Sequence, residues 1–154
     1  MKAPPPHFKL LPVLRSPGKR GRQQAGYCLR RWATYLVLYN NVHFGETRLH
    51  YELSRVARRA AWEIGFHFES GDKQLNRFLL LGFRRHLFEI KDTLGESFEA
   101  EMWDKGWTKV YEVVPAEAYT AAHQSQIGQR MADVITCLHP IFVDLRGQAA
   151  RIKR

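Results

Sequence analysis

Residues Glu46 to Gly95 read ETRLHYELSRVARRAAWEIGFHFESGDKQLNRFLLLGFRRHLFEIKDTLG, and the spacing of their apolar positions decides the fold. In the first half Leu49, Leu53, Val56, Ala60 and Ile64 recur three or four apart, with Arg48, Glu52, Arg55, Arg59 and Glu63 at the same interval on the other side. That pattern predicts a helix with one dry and one wet face. In the second half Leu75, Leu79, Leu87, Ile90 and Leu94, widened by Phe78 and Phe83, form an apolar line, while Arg77, Arg84 and Lys91 stand on a polar one. The break at Glu69-Ser70-Gly71-Asp72 is too short for a crossover, so the two helices are expected as antiparallel neighbours.

Toward the N-terminus, Leu29, Trp32, Ala33, Leu36 and Tyr39 make a helical face between Gln24 and Phe44, although Thr34 to Tyr39 also suits a buried strand. Length favours the helix, since no Gly or Pro interrupts the apolar pattern. Toward the C-terminus, Lys105-Gly106 reads as a turn, and Trp107, Lys109, Tyr111 and Val113 alternate with Thr108, Val110, Glu112 and Val114. This is a short strand or an extended lid, needing a partner from residues 98 to 103, from the N-terminal arm or from another subunit; a helix that includes Trp103 and Trp107 is the alternative. Pro115 opens a last helix carrying Ala121, Ile127, Met131, Val134 and Leu138 on one side, and Pro140 is expected to stop it.

The expected architecture is therefore all-α: an up-down four-helix bundle with helices near 24–44, 46–69, 73–95 and 116–139. An irregular or short β insertion falls at 97–114, and the termini are extended and basic. The domain plan is a proline-rich basic arm over 1–23, a bundle over 24–145 and a basic tail over 146–154.

Composition is consistent with one folded domain, because 154 residues that are 45% hydrophobic can bury a core. No run of eighteen apolar residues is present, which argues against a membrane span. No apolar segment follows Lys2 to make a secretory signal, so the expected location is the cytoplasm. Cys28 and Cys137 are too far apart in sequence to read as a disulfide scaffold or a zinc site, and are expected as buried thiols.

Charge is segregated. Residues 1–45 hold eight Lys or Arg and no acid, residues 46–145 hold twelve against fifteen, and residues 146–154 hold four against none. Positive ends on a mildly acidic body suit terminal arms that contact a polyanion. The candidate nucleic-acid residues are Lys19, Arg20 and Arg22 in the arm, Arg30, Arg31, Arg77, Arg84 and Arg85 in the body, and Arg151, Lys153 and Arg154 in the tail. The aromatics Trp32, Tyr35, Tyr39, Trp103 and Trp107 exceed what a slim bundle needs and are candidates for a subunit interface.

The search for chemistry is negative. There is no glycine-rich phosphate loop, nucleophile elbow, paired-cysteine spacing or His-Glu-x-x-His helix. Cys137 with His139 and Asp133 lacks an activating turn. Glu46 with His50 and Glu63 with His67 are i,i+4 pairs, whereas a carboxylate-bundle site needs Glu-x-x-His on two helices. A set of His50, His86 and His123 would draw on three separate helices. No catalytic residue, metal or cofactor is expected.

Arg58-Arg59-Ala60-Ala61-x-x-Ile64, the break with Glu69 and Gly71, then Asn76-Arg77-Phe78-Leu79 and Leu87-Phe88-Glu89-Ile90-x-x-x-Leu94 resemble the middle hairpin of small four-helix proteins encoded in intervening sequences of ribosomal RNA genes. A related branch comprises accessory proteins of diversity-generating retroelements. The resemblance implies an up-down four-helix bundle, and in the retroelement branch a basic ring that binds RNA and a reverse transcriptase. The functional expectation is a non-enzymatic nucleic-acid-associated accessory protein, with RNA favoured over DNA. The alternative is a structural or assembly subunit of a homo-oligomer or larger complex.

Overall fold

The computed structural model describes residues 27–31, 38–43, 46–56, 59–116 and 120–152, with side chains from Glu46 onward except those of Arg55, Ala121 and Gln124. Strands β1 (Tyr27–Arg31), β2 (Leu38–His43), β3 (Leu49–Val56) and β4 (Ala61–Phe68) are followed by helices α1 (Lys73–Arg85) and α2 (Leu87–Leu94). Strands β5 (Glu99–Met102) and β6 (Thr108–Pro115) and the long helix α3 (Ala121–Ile152) complete the order. The strands form one antiparallel sheet in the order β1-β2-β3-β4-β6-β5. The helices lie on one face of its four-stranded part, β3-β4-β6-β5.

The chain is thus a mixed α/β fold, not an all-α four-helix bundle. The decisive error lies at 46–69, which is the β3–β4 hairpin. A spacing of four residues satisfies both a helical period of 3.6 and a strand period of 2, so Leu49 and Leu53 fit either. Tyr51 separates the two: it faces the core with them and is fully buried, as period 2 requires. In β4 the alternation is stricter, with Trp62, Ile64, Phe66 and Phe68 inward and Glu63, Gly65 and His67 on the other face. Inside 24–44 the described segments are strands, and the 97–114 insertion is the β5–β6 hairpin. Its turn lies at Lys105-Gly106, where both residues have positive φ.

Helix α1 begins where the sequence breaks at 69–72, because Asp72 Oδ1 accepts from the backbone N–H groups of Gln74 and Leu75 at 3.0 and 3.1 Å. Its Leu79 and Phe83 meet Met131, Ile135, Leu138 and Phe142 of α3 over Tyr51, Phe66 and Phe68. Gly82 lets the two helices approach, since a Cβ there would sit 2.4 Å from a Leu145 methyl. Helix α3 does not stop at Pro140 but runs through it to Ile152. The lost N–H bond is outweighed by the buried contacts of Leu138, Phe142 and Leu145 on either side.

Buried polar groups tie the layers. Asn76 donates to the Ser70 and Gly106 carbonyls at 2.9 and 3.2 Å and accepts from Ser70 N–H, joining the start of α1 to the β5–β6 turn. Arg130 of α3 donates to Glu112 of β6 at 2.9 Å and to the Leu94 carbonyl, covering a carboxylate that is 2% exposed. Arg146 makes three hydrogen bonds of 2.6–3.1 Å to Glu46, fixing the end of α3 to the chain entering β3.

Candidate metal centre

The other face of β3 and β4 carries no helix among the described residues, yet it holds two of the most buried polar side chains. His50 is 5% exposed and His67 is 4% exposed. They are directly opposite in the β3–β4 register, and their rings stack at 5.9 Å. On β3, Glu52 follows His50 by two residues; at the end of β4, Glu69 follows His67 by two. Since a strand returns a side chain to the same face every second residue, each histidine brings a carboxylate with it. One ligand atom from each of His50, Glu52, His67 and Glu69 lies within 4.8 Å of the others.

Outer partners orient both rings. His50 Nδ1–H donates to the Thr47 carbonyl at 3.0 Å; a carbonyl only accepts, so the proton is on Nδ1. Its Nε2 faces Glu52, 3.1 Å away. On His67 the arrangement is mirrored. Nε2 lies 3.1 Å from Glu63, outside the cluster, and Nδ1 lies 3.7 Å from Glu69, inside it. Glu63 is held in turn by Lys109 Nζ at 2.8 Å. A histidine pinned through one nitrogen by a carbonyl or carboxylate, with the other turned inward, is the usual support of a metal-binding imidazole.

The electrostatics keep Glu63 and Glu69 ionised. Burial alone pushes His67 down, but the adjacent Glu63 and Glu69 and the charge of Glu52 reverse this and raise it to about 9. Burial likewise pushes Glu63 and Glu69 up. Contacts with His67 and Lys109 leave Glu63 below its ordinary value, and His67, His50 and Arg48 do the same for Glu69. Two imidazoles and two carboxylates are a donor set for zinc-class ions, which bind such atoms at about 2.0–2.2 Å. Tetrahedral donors at that range stand about 3.4 Å apart, so side-chain rotation has to draw the cluster in.

Trp103 stands edge-on to His67 at 5.9 Å and packs against Trp107 at 5.4 Å. Lys109 Nζ lies over both the Tyr111 and Trp103 rings, at 4.0 and 5.5 Å, which places an aromatic wall at one side of the cluster.

The sequence-based candidates do not converge here. Lys19, Arg20, Arg22, Trp32, Tyr35, Lys153 and Arg154 lie outside the described residues, while Arg30 and Arg31 fall in β1 and Tyr39 in β2. Arg77, Arg85 and Arg151 are exposed on α1 and α3. Arg84 donates to the Ala100 carbonyl at 3.0 Å, so it caps the edge strand β5. The described residues lend no support to nucleic-acid binding or to self-association, and with its sheet the chain is not a helical bundle. His86 pairs with Glu89 at 3.1 Å, and the expected absence of a metal set at His50, His86 and His123 does not extend to His50 with His67.

No family model, curated protein or solved structure matches the chain. No helix among the described residues is long and apolar enough to cross a membrane.

Proposed function

We propose that the protein is a metal-binding module, holding one zinc-class divalent ion with His50, Glu52, His67 and Glu69. The observation that carries this is the convergence of four donor atoms within 4.8 Å on buried, outwardly pinned imidazoles. Four protein donors complete a tetrahedral shell, so the ion braces β3 against β4 and need not activate water. Mixed nitrogen and oxygen donors favour zinc, cobalt or nickel over magnesium and calcium, which prefer oxygen alone.

Titration calorimetry on chelator-stripped protein tests it. Zinc is expected to bind at one ion per chain, with magnesium and calcium far weaker. At a free concentration of about 100 Kd the ion adds about 2.7 kcal/mol to stability. For a chain of this length that raises Tm by about 5–10 °C. The His50→Gln/His67→Gln double variant should lose both effects. Wild-type protein that ignores zinc in both assays ends the reading.

A further inference from the structure

The outward side of α1 carries charge of one sign. The helix holds Lys73, Arg77, Arg84 and Arg85 and no acid. Positions 73, 77, 81 and 84 recur at helical spacing on one exposed stripe, with Arg85 beside it and the buried Leu75, Leu79 and Phe83 opposite. None of the four cations forms an ion pair among the described residues. Arg84 spends its Nε on the Ala100 carbonyl and still stands exposed. Apolar side chains share this ridge. Leu81 is 42% exposed, and Phe88, just past the break at His86, is 84% exposed, the most of any large apolar residue described.

We propose that this ridge docks on an anionic lipid surface. Lys and Arg interleaved with Leu and Phe suit a helix lying along the headgroup layer: the cations meet lipid phosphates and carboxylates, and the apolar tips reach the acyl boundary. Phe88 and Leu81 select lipid over an acidic partner in water, which would reward the cations and leave both apolar tips hydrated. Nearby carboxylates are already engaged, Glu89 by His86 at 3.1 Å and Glu99 by Lys91 at 3.3 Å, while Asp92, one turn beyond Phe88, bounds the patch. The ridge lies on the helical side of the sheet, away from the metal cluster, so it is independent of the metal reading.

Two measurements on the full chain test this. The first is flotation with vesicles of phosphatidylcholine alone or mixed with phosphatidylserine. Wild type is expected to float only with the mixed vesicles, and less as salt rises. Each Lys or Arg near an anionic leaflet contributes about fivefold in affinity, so Arg77→Gln/Arg85→Gln should lose about 25-fold. Phe88→Asn should lose at least about tenfold, and Arg59→Gln, on the β3–β4 turn, less than about twofold. The second is nuclear magnetic resonance of wild type on anionic bicelles carrying a lipid-tethered spin label, where broadening is expected to centre on residues 81–88.

Wild type that stays with the soluble fraction at low salt overturns the proposal. So does flotation that survives Arg77→Gln/Arg85→Gln, because other cations then drive it. If that variant releases the vesicles while Phe88→Asn binds as wild type, the ridge is a charge patch for a soluble polyanion and the lipid assignment falls. Should a variant melt earlier than wild type, the broadening pattern on wild type decides alone, and broadening centred elsewhere overturns the ridge.

Discussion

The metal-free protein should lose stability as pH rises across neutrality, and His67 is the cause. Its carboxylate neighbours raise it from 6.5 to about 9 in the folded chain, while the unfolded chain titrates at the ordinary value. A raised group of this kind binds its proton more tightly when folded. Its contribution is therefore complete below pH 6.5 and is lost as pH climbs through about 9. At 1.36 kcal/mol per pH unit the gap comes to about 3 kcal/mol, a large share of the roughly 5–15 kcal/mol that holds a domain together.

Other groups can be separated from it. Burial lowers His139, which makes stability fall toward acid instead, and its change is nearly complete by pH 7. Burial raises the Cys137 thiol, adding a loss of the same sign only near and above pH 8.5. The informative window is thus pH 7 to 8.5. Urea denaturation in chelator, at several pH values in that window, should show the midpoint falling for wild type and nearly level for His67→Gln. A wild-type midpoint that stays flat, or a variant that falls in parallel, would refute the assignment of the shift to His67.

Three further substitutions test the frame that positions the site. Gly65→Ala places a Cβ 2.6 Å from both Tyr111 Cβ and the Val110 carbonyl, so β4 and β6 must part; a cost of about 1–3 kcal/mol in urea denaturation is expected, and an unchanged midpoint would contradict the register. Arg130→Met strands the buried Glu112 carboxylate and should cost about 3–5 kcal/mol, most of it recovered in Arg130→Met/Glu112→Met; a thermal melt that moves by less than a degree or two in the single variant rules out the pairing. Asn76→Ala removes the clip between the β4–α1 loop and the β5–β6 turn and should cost about 1–3 kcal/mol, with hydrogen exchange accelerating at Ser70 N–H; protection retained there would show that the clip is not needed.

The helical half of the fold is legible because its signals are local. The break at 69–72 and the Leu75-to-Leu94 spacing place helix at 73–95 with little dependence on the rest of the chain, although the structure divides that expected single helix at His86 into α1 and α2. Strand β6 is legible in part for the same reason, since Trp107 to Val114 alternate and the first partner considered, residues 98 to 103, contains β5, one of the two strands it pairs with; its other partner, β4, lies in a stretch whose spacing reads as helix. The β3–β4 hairpin is where local reading fails. Arg55, Arg59 and Glu63 gave the sequence a plausible wet stripe at helical spacing, and Ala60-Ala61 added helix propensity at the turn. Tertiary pairing overrides both: Phe66 and Phe68 pack on Phe83 and Phe142, contacts that no helix through 46–69 would make with the same residues.

The centre was lost through the same choice of period. On a helix, His50 and His67 had to be judged with Glu46 and Glu63 four residues away, and that test is rightly negative. On strands the relevant spacing is two, and the sequence carries His-x-Glu twice, at 50–52 and at 67–69. A repeat of that kind is weak evidence until the two copies are known to face each other. Antiparallel pairing supplies this, because the β3–β4 turn sets the register that brings His50 opposite His67. Glu63 then keeps the i,i+4 contact that the helical reading noticed, but as the outer carboxylate that pins His67 and not as a ligand. A one-residue slip of β4 against β3 would send His67 to the core face and Phe66 to the other, while His50 and Tyr51 stayed where they are. The buried stack of Tyr51 on Phe66, at 4.0 Å, resists the slip, so the apolar face of the hairpin fixes the geometry of the metal face.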